Sequence, residues 1–208
     1  KRALKIYEEL DDKMNMGHLF NFIGINYRRK GDYDRALDFQ TRAFKMAEML
    51  GDKYGMAHPL ANFGIIYKNI GNYDKALECS TNSIKIFEEL GWKGSIANVL
   101  TLFGQIYYRK NDYDKAIENL EKAHSIFKAR MMGGEGAKWN IPFLFLSYKM
   151  IGRKYDVKEI YNIIKEKEHF EMEPNYIFYQ LLEETSYLET AYNLVQEKAD
   201  NLEPDVAA

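Results

Sequence analysis

The chain has 208 residues, 46% hydrophobic and 29% charged, which is the composition of a folded domain and excludes a disordered segment. A formal net charge of −2 gives no overall basic field, which argues against a general affinity for nucleic acid. Cys79 is the single cysteine, so no disulfide framework is possible and a reducing, cytoplasmic compartment is favoured. A secreted origin stays open, because a leader could precede Lys1. No apolar run reaches the roughly 18 residues of a membrane-spanning helix, so none is predicted.

Residues 1–10 have the pattern of the second half of an amphipathic helix, and the same pattern recurs at residues 43–50 and 83–90. The chain therefore has the look of a piece cut from a longer protein. We expect its N-terminal end to fray or to self-associate, because apolar residues stand there at core spacing without a first helix to pack on. These residues are Ala3, Leu4, Ile6, Tyr7 and Leu10.

A period of 40 residues organises the part that follows. Gly24, Gly64 and Gly104 stand in three similar segments, and both 64 − 24 and 104 − 64 equal 40. A second shared block follows each segment and contains Tyr33, Tyr73 and Tyr113 at the same interval. Self-similarity at a fixed period of roughly 20–50 residues indicates a solenoid, whose repeats bury a core by stacking on their neighbours.

Each repeat has the pattern of a helix, a turn and a second helix. The glycine in the middle of each first helix costs about 1 kcal/mol relative to alanine, so we expect the paired helix to approach closely there. The turns suit a left-handed residue at Gly31, Gly71 and Asn111. The residues after them are expected to cap the second helices, namely Asp32, Asn72 and Asp112. Pro59 predicts that its helix begins late or bends.

The last third of the chain has a weaker pattern. A fourth copy with one inserted residue has its second helix at about residues 156–169, a break at residues 171–175, and two closing helices near 176–185 and 187–201. Its inner face is the most apolar of the four, so either the closing helices or a partner covers it. We expect residues 176–179 and 181–182 of the closing helices to do so. That face comprises Trp139, Pro142, Phe143, Leu146 and Met150.

The motif Phe/Leu-x-x-Ile/Phe-Gly-x-x-Tyr, followed by Gly-x-Tyr-x-x-Ala, resembles the tetratricopeptide repeat family. The first copy matches it at Gly24, Tyr27, Gly31, Tyr33, Ala36 and Ala43. The usual large residue after the alanine is replaced by Gln40, Ser80 and Leu120. The period of 40 is similar to that of the subfamily in bacterial signalling proteins, kinesin light chains and spindle-orientation adaptors.

The resemblance implies an all-α, right-handed superhelical solenoid of antiparallel helix pairs, whose concave side binds peptides or protein segments. Residues 1–208 are expected to form one array. The parts are a half repeat (1–13), three repeats (14–53, 54–93 and 94–133), a degenerate fourth repeat (134–172) and a closing helix pair (173–208).

Several patterns that could carry chemistry have a simpler structural explanation. Asp32-x-Asp34 and Asp112-x-Asp114 could hold a metal, but their places at helix starts favour capping. Glu166-x-x-His169 is half of a di-iron motif without its second copy, and residues 133–136 lack the Lys-Ser/Thr of a phosphate loop. No catalytic residue, cofactor or metal site is predicted.

The more informative pattern is a surface opposite the core stripe of the first helices. Mixed amides, imidazoles, cations and aliphatic side chains suit an extended peptide, which needs both hydrogen bonds and shallow pockets. The predicted groove residues are His18, Asn21, Phe22, Ile25, Arg29, His58, Asn62, Ile65, Asn69, Asn98, Thr101, Gln105 and Arg109, with Ala61 and Leu102 on the same face. Arg28, Lys68 and Lys110 flank it and favour an acidic partner.

The sequence therefore predicts a non-catalytic protein-interaction module, the regulatory part of a larger signalling protein. An alternative stays open: a regulatory fragment of a multidomain enzyme whose ATPase, kinase or nucleotide-cyclase domain lies outside this chain. The stretch 186–192 resembles, more weakly, the ends of such arrays in bacterial regulators of that kind. RNA binding is disfavoured, because no two-residue base code repeats at fixed positions.

Overall fold

The computed structural model describes residues 6–7, 9–129, 135–165 and 172–200, and no strand occurs among them. Ten helices have defined bounds: α1 Lys13–Lys30, α2 Tyr33–Leu50, α3 Lys53–Asn69, α4 Tyr73–Glu89, α5 Lys93–Arg109, α6 Tyr113–Ala129, α7 Glu135–Met150, α8 Val157–Lys165, α9 Met172–Leu182 and α10 Thr185–Asp200. We call α1, α3, α5 and α7 the first helices and α2, α4 and α6 the second helices. The first helices α1, α3 and α5 begin 40 residues apart, as the period predicts.

The turns inside the repeats have the predicted chemistry. Gly31 and Gly71 adopt left-handed conformations with φ of 83° and 82°, and Asn111 does so with φ of 61°. The next residue then caps the following helix, because the Asp32 and Asn72 side chains accept hydrogen bonds from the backbone N–H groups of the third residues on. These residues therefore end one helix and start the next, which confirms capping as their role.

The N-terminal end continues the repeat pattern. Asp11 has a φ of 49° and occupies the left-handed place that Gly51 and Gly91 fill in later copies. Leu10 is 68% exposed and Ile6 is 46% exposed. Ala3 and Leu4 lie outside the described residues, and self-association at this end stays a prediction.

The mid-helix glycines lie where paired helices approach closely, as predicted. A Cβ atom on Gly64 would lie 2.2 Å from Ser80 Oγ, and one on Gly104 would lie 2.3 Å from Leu120 Cγ. The residues that face these glycines, Ser80 and Leu120, stand at the repeat position where the tetratricopeptide motif usually has a large residue. Because glycine leaves space on the first helix, side chains of different sizes can face it from the second helix.

The first helices form the inner layer of the array. α1, α3 and α5 each pack on their own second helix, and α1, α3, α5 and α7 also contact one another in sequence. The second helices make no comparable contact with each other in the described ranges. An array whose repeats lie closer together on one side curves toward that side. The first helices therefore line the concave surface.

The core is most apolar at the C-terminal end, where α9 covers α7. Phe143 and Leu146 are 1% and 3% exposed, in one buried cluster with Ile177 and Phe178 of α9. α9 therefore covers Phe143 and Leu146 of the apolar inner face of the fourth copy, as expected, whereas Met150 of that face is 50% exposed. α8 makes only slight contact with α7, so α9 takes the greater part in covering it.

Two boundary predictions are wrong, and one of the two alternatives at Pro59 is excluded. α3 begins at Lys53 and continues through Pro59, so the proline does not delay its start, and a bend at Pro59 stays a prediction. α9 begins at Met172, because Pro174 falls in its first turn, where the lost N–H has no helical partner. The glycine-rich composition of residues 131–136 predicts a loop, but Glu135 and Gly136 belong to α7. The predicted Glu166-x-x-His169 motif lies outside the described residues.

Candidate functional site

The accessible inner surface runs across α1, α3 and α5. Among the predicted groove residues, Arg29, Asn69, Asn98 and Arg109 are exposed. The half-buried ones are His18, Asn21, Ile25, His58 and Ile65. These side chains could meet a ligand without rearrangement of the helices.

Three predicted groove residues are buried instead, and they cannot offer a surface to a ligand. Asn62 is 7% exposed, and its amide donates to Asn21 Oδ1 at 3.0 Å. Gln105, also 7% exposed, accepts a hydrogen bond from Lys68 Nζ at 2.9 Å. Thr101 is 2% exposed and donates to the carbonyl of Ala97 at 3.0 Å. The expectation that Asn62, Thr101 and Gln105 face a ligand is corrected. Asn62 and Gln105 connect neighbouring first helices, and Thr101 also accepts a hydrogen bond from Asn140 Nδ2 of α7 at 3.5 Å.

Phe22 has a different setting from its repeat equivalents. Its side chain is 63% exposed, whereas Leu102 at the same repeat position is 5% exposed. Leu102 packs toward Gly64 of the preceding first helix, and α1 has no preceding first helix in the described part of the chain. Phe22 therefore faces the N-terminal end of the array and lies outside the groove.

The C-terminal ends of the first helices carry cations. Arg28, Arg29 and Lys30 stand in the last turn of α1, Lys68 in that of α3 and Arg109 in that of α5. Cations are favoured at this end because the helix dipole is negative there. Lys110, predicted to flank the groove, forms an ion pair with Asp74 at 2.8 Å. The inner surface thus has a cationic edge. The charge of Lys110 beside this edge is paired with Asp74.

The opposite edge is aromatic. The Tyr54 and Trp92 rings have centroids 4.9 Å apart and planes inclined by 53°. His58 lies edge-on to Tyr54 at 4.8 Å and rests on the buried ring of Phe87 at 5.2 Å. His18 meets Tyr54 from the other side at 5.9 Å. We call Tyr54, His58 and Trp92 the aromatic corner.

His58 is a neutral group at neutral pH. Burial, with a smaller effect from nearby His18, lowers the pKa of His58 below its ordinary value near 6.5. Its Nε2 atom is buried without a hydrogen-bond partner. The two histidines therefore act as packed, polar ring systems, and neither belongs to a group of three or more metal-ligating side chains in the described ranges.

The lowered pKa of His58 predicts a stability change below about pH 6.5. In this window the unfolded chain binds a proton that the folded chain excludes, so the free energy of unfolding should fall as pH falls. Chemical denaturation at pH 7 and pH 5.5 measures the difference, with a His58→Phe variant as the control. The variant should lose less stability over this interval; an equal loss in both proteins would contradict the assignment.

Comparison with known proteins supports the fold. Residues 55–129 match the family model described as Tetratricopeptide repeat. These residues are therefore tetratricopeptide repeats, as the motifs indicated. A comparison with curated proteins found no match. No helix in the described part of the chain is long and apolar enough to cross a membrane.

Three solved structures are similar to the chain at low sequence identity, which shows the fold alone. The apo form of RapI is 18% identical with a TM-score of 0.73, over 95% of this chain and 76% of that one. A Podosopora anserina protein with nearly identical TPR-like repeats, assigned to the kinesin light chains, is 13% identical with a TM-score of 0.59, over 89% and 94%. BtubC (BKLC) from P. vanneervenii is 18% identical with a TM-score of 0.57, over 90% and 66%. The predicted all-α, right-handed superhelical solenoid is confirmed.

Proposed function

We propose that this chain is a non-catalytic interaction module that binds a protein or peptide segment on the inner surface of α1, α3 and α5. The observation that carries the proposal is the composition of that surface. Half-buried imidazole, amide and aliphatic side chains alternate along it, with Asn21, Ile25, His58 and Ile65 as examples. Such a mixture serves the hydrogen-bonding backbone and the alternating side chains of a bound segment.

The cationic edge gives the partner a preferred charge. Arg29 and Arg109 are exposed at the C-terminal ends of α1 and α5, with Lys68 of α3 between them. A carboxylate that meets these cations forms charge-assisted hydrogen bonds, which are stronger than those between neutral groups. The proposed segment is therefore acidic where it meets this edge.

An internal contact supports this preference. Lys149 follows Tyr148 in α7 as Lys68 follows Tyr67 in α3. Its Nζ donates to the carbonyl of Gln180 at 2.7 Å and to Glu183 Oε1 at 2.9 Å, at the C-terminal end of α9. A cation at this repeat position thus already holds a carbonyl and a carboxylate of a packed segment.

The proposed role is regulatory, as the sensing or scaffolding part of a larger cytoplasmic signalling protein. The closing helices support this role because they occupy the C-terminal end of the inner surface. Tyr176 of α9 lies near Tyr108 of α5 and contributes, after burial and Tyr113, to raising the pKa of Tyr108. The open surface thus ends near Tyr108, and a partner would be confined to the first three repeats.

Charge reversal tests the proposal. Random peptides displayed on phage would be selected on the wild-type chain, and the affinities of enriched peptides measured by calorimetry. We expect acidic peptides and a loss of at least about tenfold in the Arg29→Glu/Arg109→Glu variant, because charge-assisted contacts are lost.

The matched control reverses two exposed cations of the second helices, Lys45→Glu and Lys85→Glu. It changes the net charge equally and should leave the affinity within about twofold, since these side chains lie outside the inner layer. Equal losses in both variants would mean that the peptide responds to overall charge. A loss in the control variant alone would place the site on the second helices.

A further inference from the structure

The aromatic corner lies on the edge of the inner surface opposite the cations, and its three rings contact one another. Tyr54 is 37% exposed and Trp92 is 43% exposed, although aromatic rings in contact are usually the first to be buried. The His58 ring centroid lies 4.8 Å from that of Tyr54 and 6.4 Å from that of Trp92, and His58 also contacts Phe87, itself 1% exposed. The rings of Tyr54 and Trp92 are thus partly exposed to solvent, and the corner packs on the core through Phe87.

Three half-buried tyrosines among the described residues are each covered by a cation of the chain itself. The tyrosine that ends the core stripe of each repeat carries a cation eight residues later in the sequence. The distances from cation to ring centroid are 4.8 Å for Arg35 over Tyr27, 5.5 Å for Lys75 over Tyr67 and 5.4 Å for Lys115 over Tyr107. Among the described residues, no cation lies over Tyr54 or Trp92.

The end of α4 beside the corner is negative. α4 ends in Glu88 and Glu89 with no basic residue in its last turn, so carboxylates and the negative end of the helix dipole have the same sign, whereas Lys93 follows Trp92 in the sequence. Trp92 stands three residues after Glu89 and donates its backbone N–H to the carbonyl of Phe87 at 2.9 Å. Lys53, the cation next to Tyr54 in the sequence, is ion-paired with Glu89 at 2.5 Å.

We infer that the aromatic corner of Tyr54, His58 and Trp92 binds an arginine side chain of the partner segment. Two inclined ring faces attract a cation through their quadrupoles, and a planar guanidinium stacks on them better than an ammonium does.

This inference rests on the proposed function and adds a direction and a spacing to it. His58 and Asn69 lie near the two ends of α3 and are 69 − 58 = 11 residues apart, so the two edges are separated by about 16 Å. An extended segment covers this distance in about five residues. The partner would then carry an arginine about five residues from its acidic group and would cross the inner surface along α3.

The test isolates Trp92 and uses no protein partner. The chain has two tryptophans, so Trp139→Phe leaves Trp92 as the single tryptophan, which is excited selectively at wavelengths that tyrosine does not absorb. N-acetylarginine amide is titrated at constant ionic strength, with N-acetylnorleucine amide as the neutral probe of similar shape. We expect a saturable change in Trp92 emission with the arginine derivative alone. The indole N–H signal of Trp92 in the unsubstituted chain gives the same reading by NMR and does not depend on the Trp139 substitution.

Two substitutions at one exposed position separate a ring effect from simple apolar contact. Tyr54→Phe should keep the affinity for the arginine derivative, whereas Tyr54→Leu should lower it about two- to fivefold. An equal response to the norleucine derivative, no saturable response to the arginine derivative, or equal affinity in both Tyr54 variants would overturn the inference. None of these results affects the charge-reversal test at Arg29 and Arg109, so failure of the corner and failure of the proposed function are distinguishable.

Discussion

Replacing Gly64 by leucine is expected to lower the free energy of unfolding by about 3 kcal/mol or more, through overpacking at a close helix contact. The new Cβ alone would lie 2.2 Å from Ser80 Oγ, 3.1 Å from Leu102 Cδ2 and 3.3 Å from the backbone oxygen of Ala76. α3 would therefore have to separate from both α4 and α5. Urea unfolding followed by circular dichroism measures the loss.

A second glycine in a first helix provides the matched control. A Cβ on Gly17 would meet Met46 at 3.4 Å, an ordinary contact, and alanine already stands at the equivalent positions 57 and 97. Gly17→Ala should therefore stabilise the chain by up to about 1 kcal/mol. If Gly64→Leu unfolded with the same midpoint as the wild type, the assignment of Gly64 to the helix contact would be wrong.

Truncating Phe178 to alanine is expected to cost about 3–5 kcal/mol and to release the closing helices from α7. Phe178 is 0% exposed and lies in the same cluster as Phe143 and Leu146, the apolar inner face of the fourth copy. Its loss leaves a cavity at the contact that covers this face. Thermal unfolding measures the stability, and binding of a hydrophobic dye measures the newly exposed surface.

Tyr176 on the same helix is the control for this change. It is 47% exposed, so Tyr176→Ala removes an aromatic ring from α9 with little loss of buried area. We expect a change within about 1 kcal/mol and no increase in dye binding. A Phe178→Ala protein that stayed as stable and as silent toward the dye as Tyr176→Ala would contradict the covering role of α9.

The repeat register could be predicted from the sequence because each signal is local. A left-handed residue followed by a capping side chain, as at Gly31 and Asp32, defines where one helix ends and the next begins. The mid-helix glycines indicated close packing for the same reason, since a costly residue requires compensation. Three copies of these signals at one interval make the fold class secure.

The exposure of individual groove residues could not be predicted in the same way. Helical periodicity assigns Asn62 and Gln105 to the face opposite the core stripe, but it does not show how far the next first helix overlaps that face. The overlap depends on stacking between repeats, which buries Asn62 against Asn21 and Gln105 against Lys68. Their polar side chains are compatible with burial because each finds a partner there.

The aromatic corner and the start of the closing helices also could not be predicted from local sequence signals. Tyr54 and Trp92 are 38 residues apart, in different repeat positions, so no periodic pattern pairs them. The sequence assigned His18 and His58 to the predicted groove, and the structure shows that Tyr54 contacts both of them. The start of α9 was misplaced because Pro174 was taken as a break and not as a first-turn residue.

Mapping a bound peptide onto the chain by NMR tests the central claim most directly. Backbone amide shifts would be recorded during titration with an acidic peptide selected on the wild type. The account predicts that the largest changes cluster on the inner surface, around Ile25, Ile65 and Arg109, and weaken toward Tyr108 where α9 begins to cover it. Changes concentrated on the outer faces of α2, α4 and α6, with the inner surface unaffected, would contradict it.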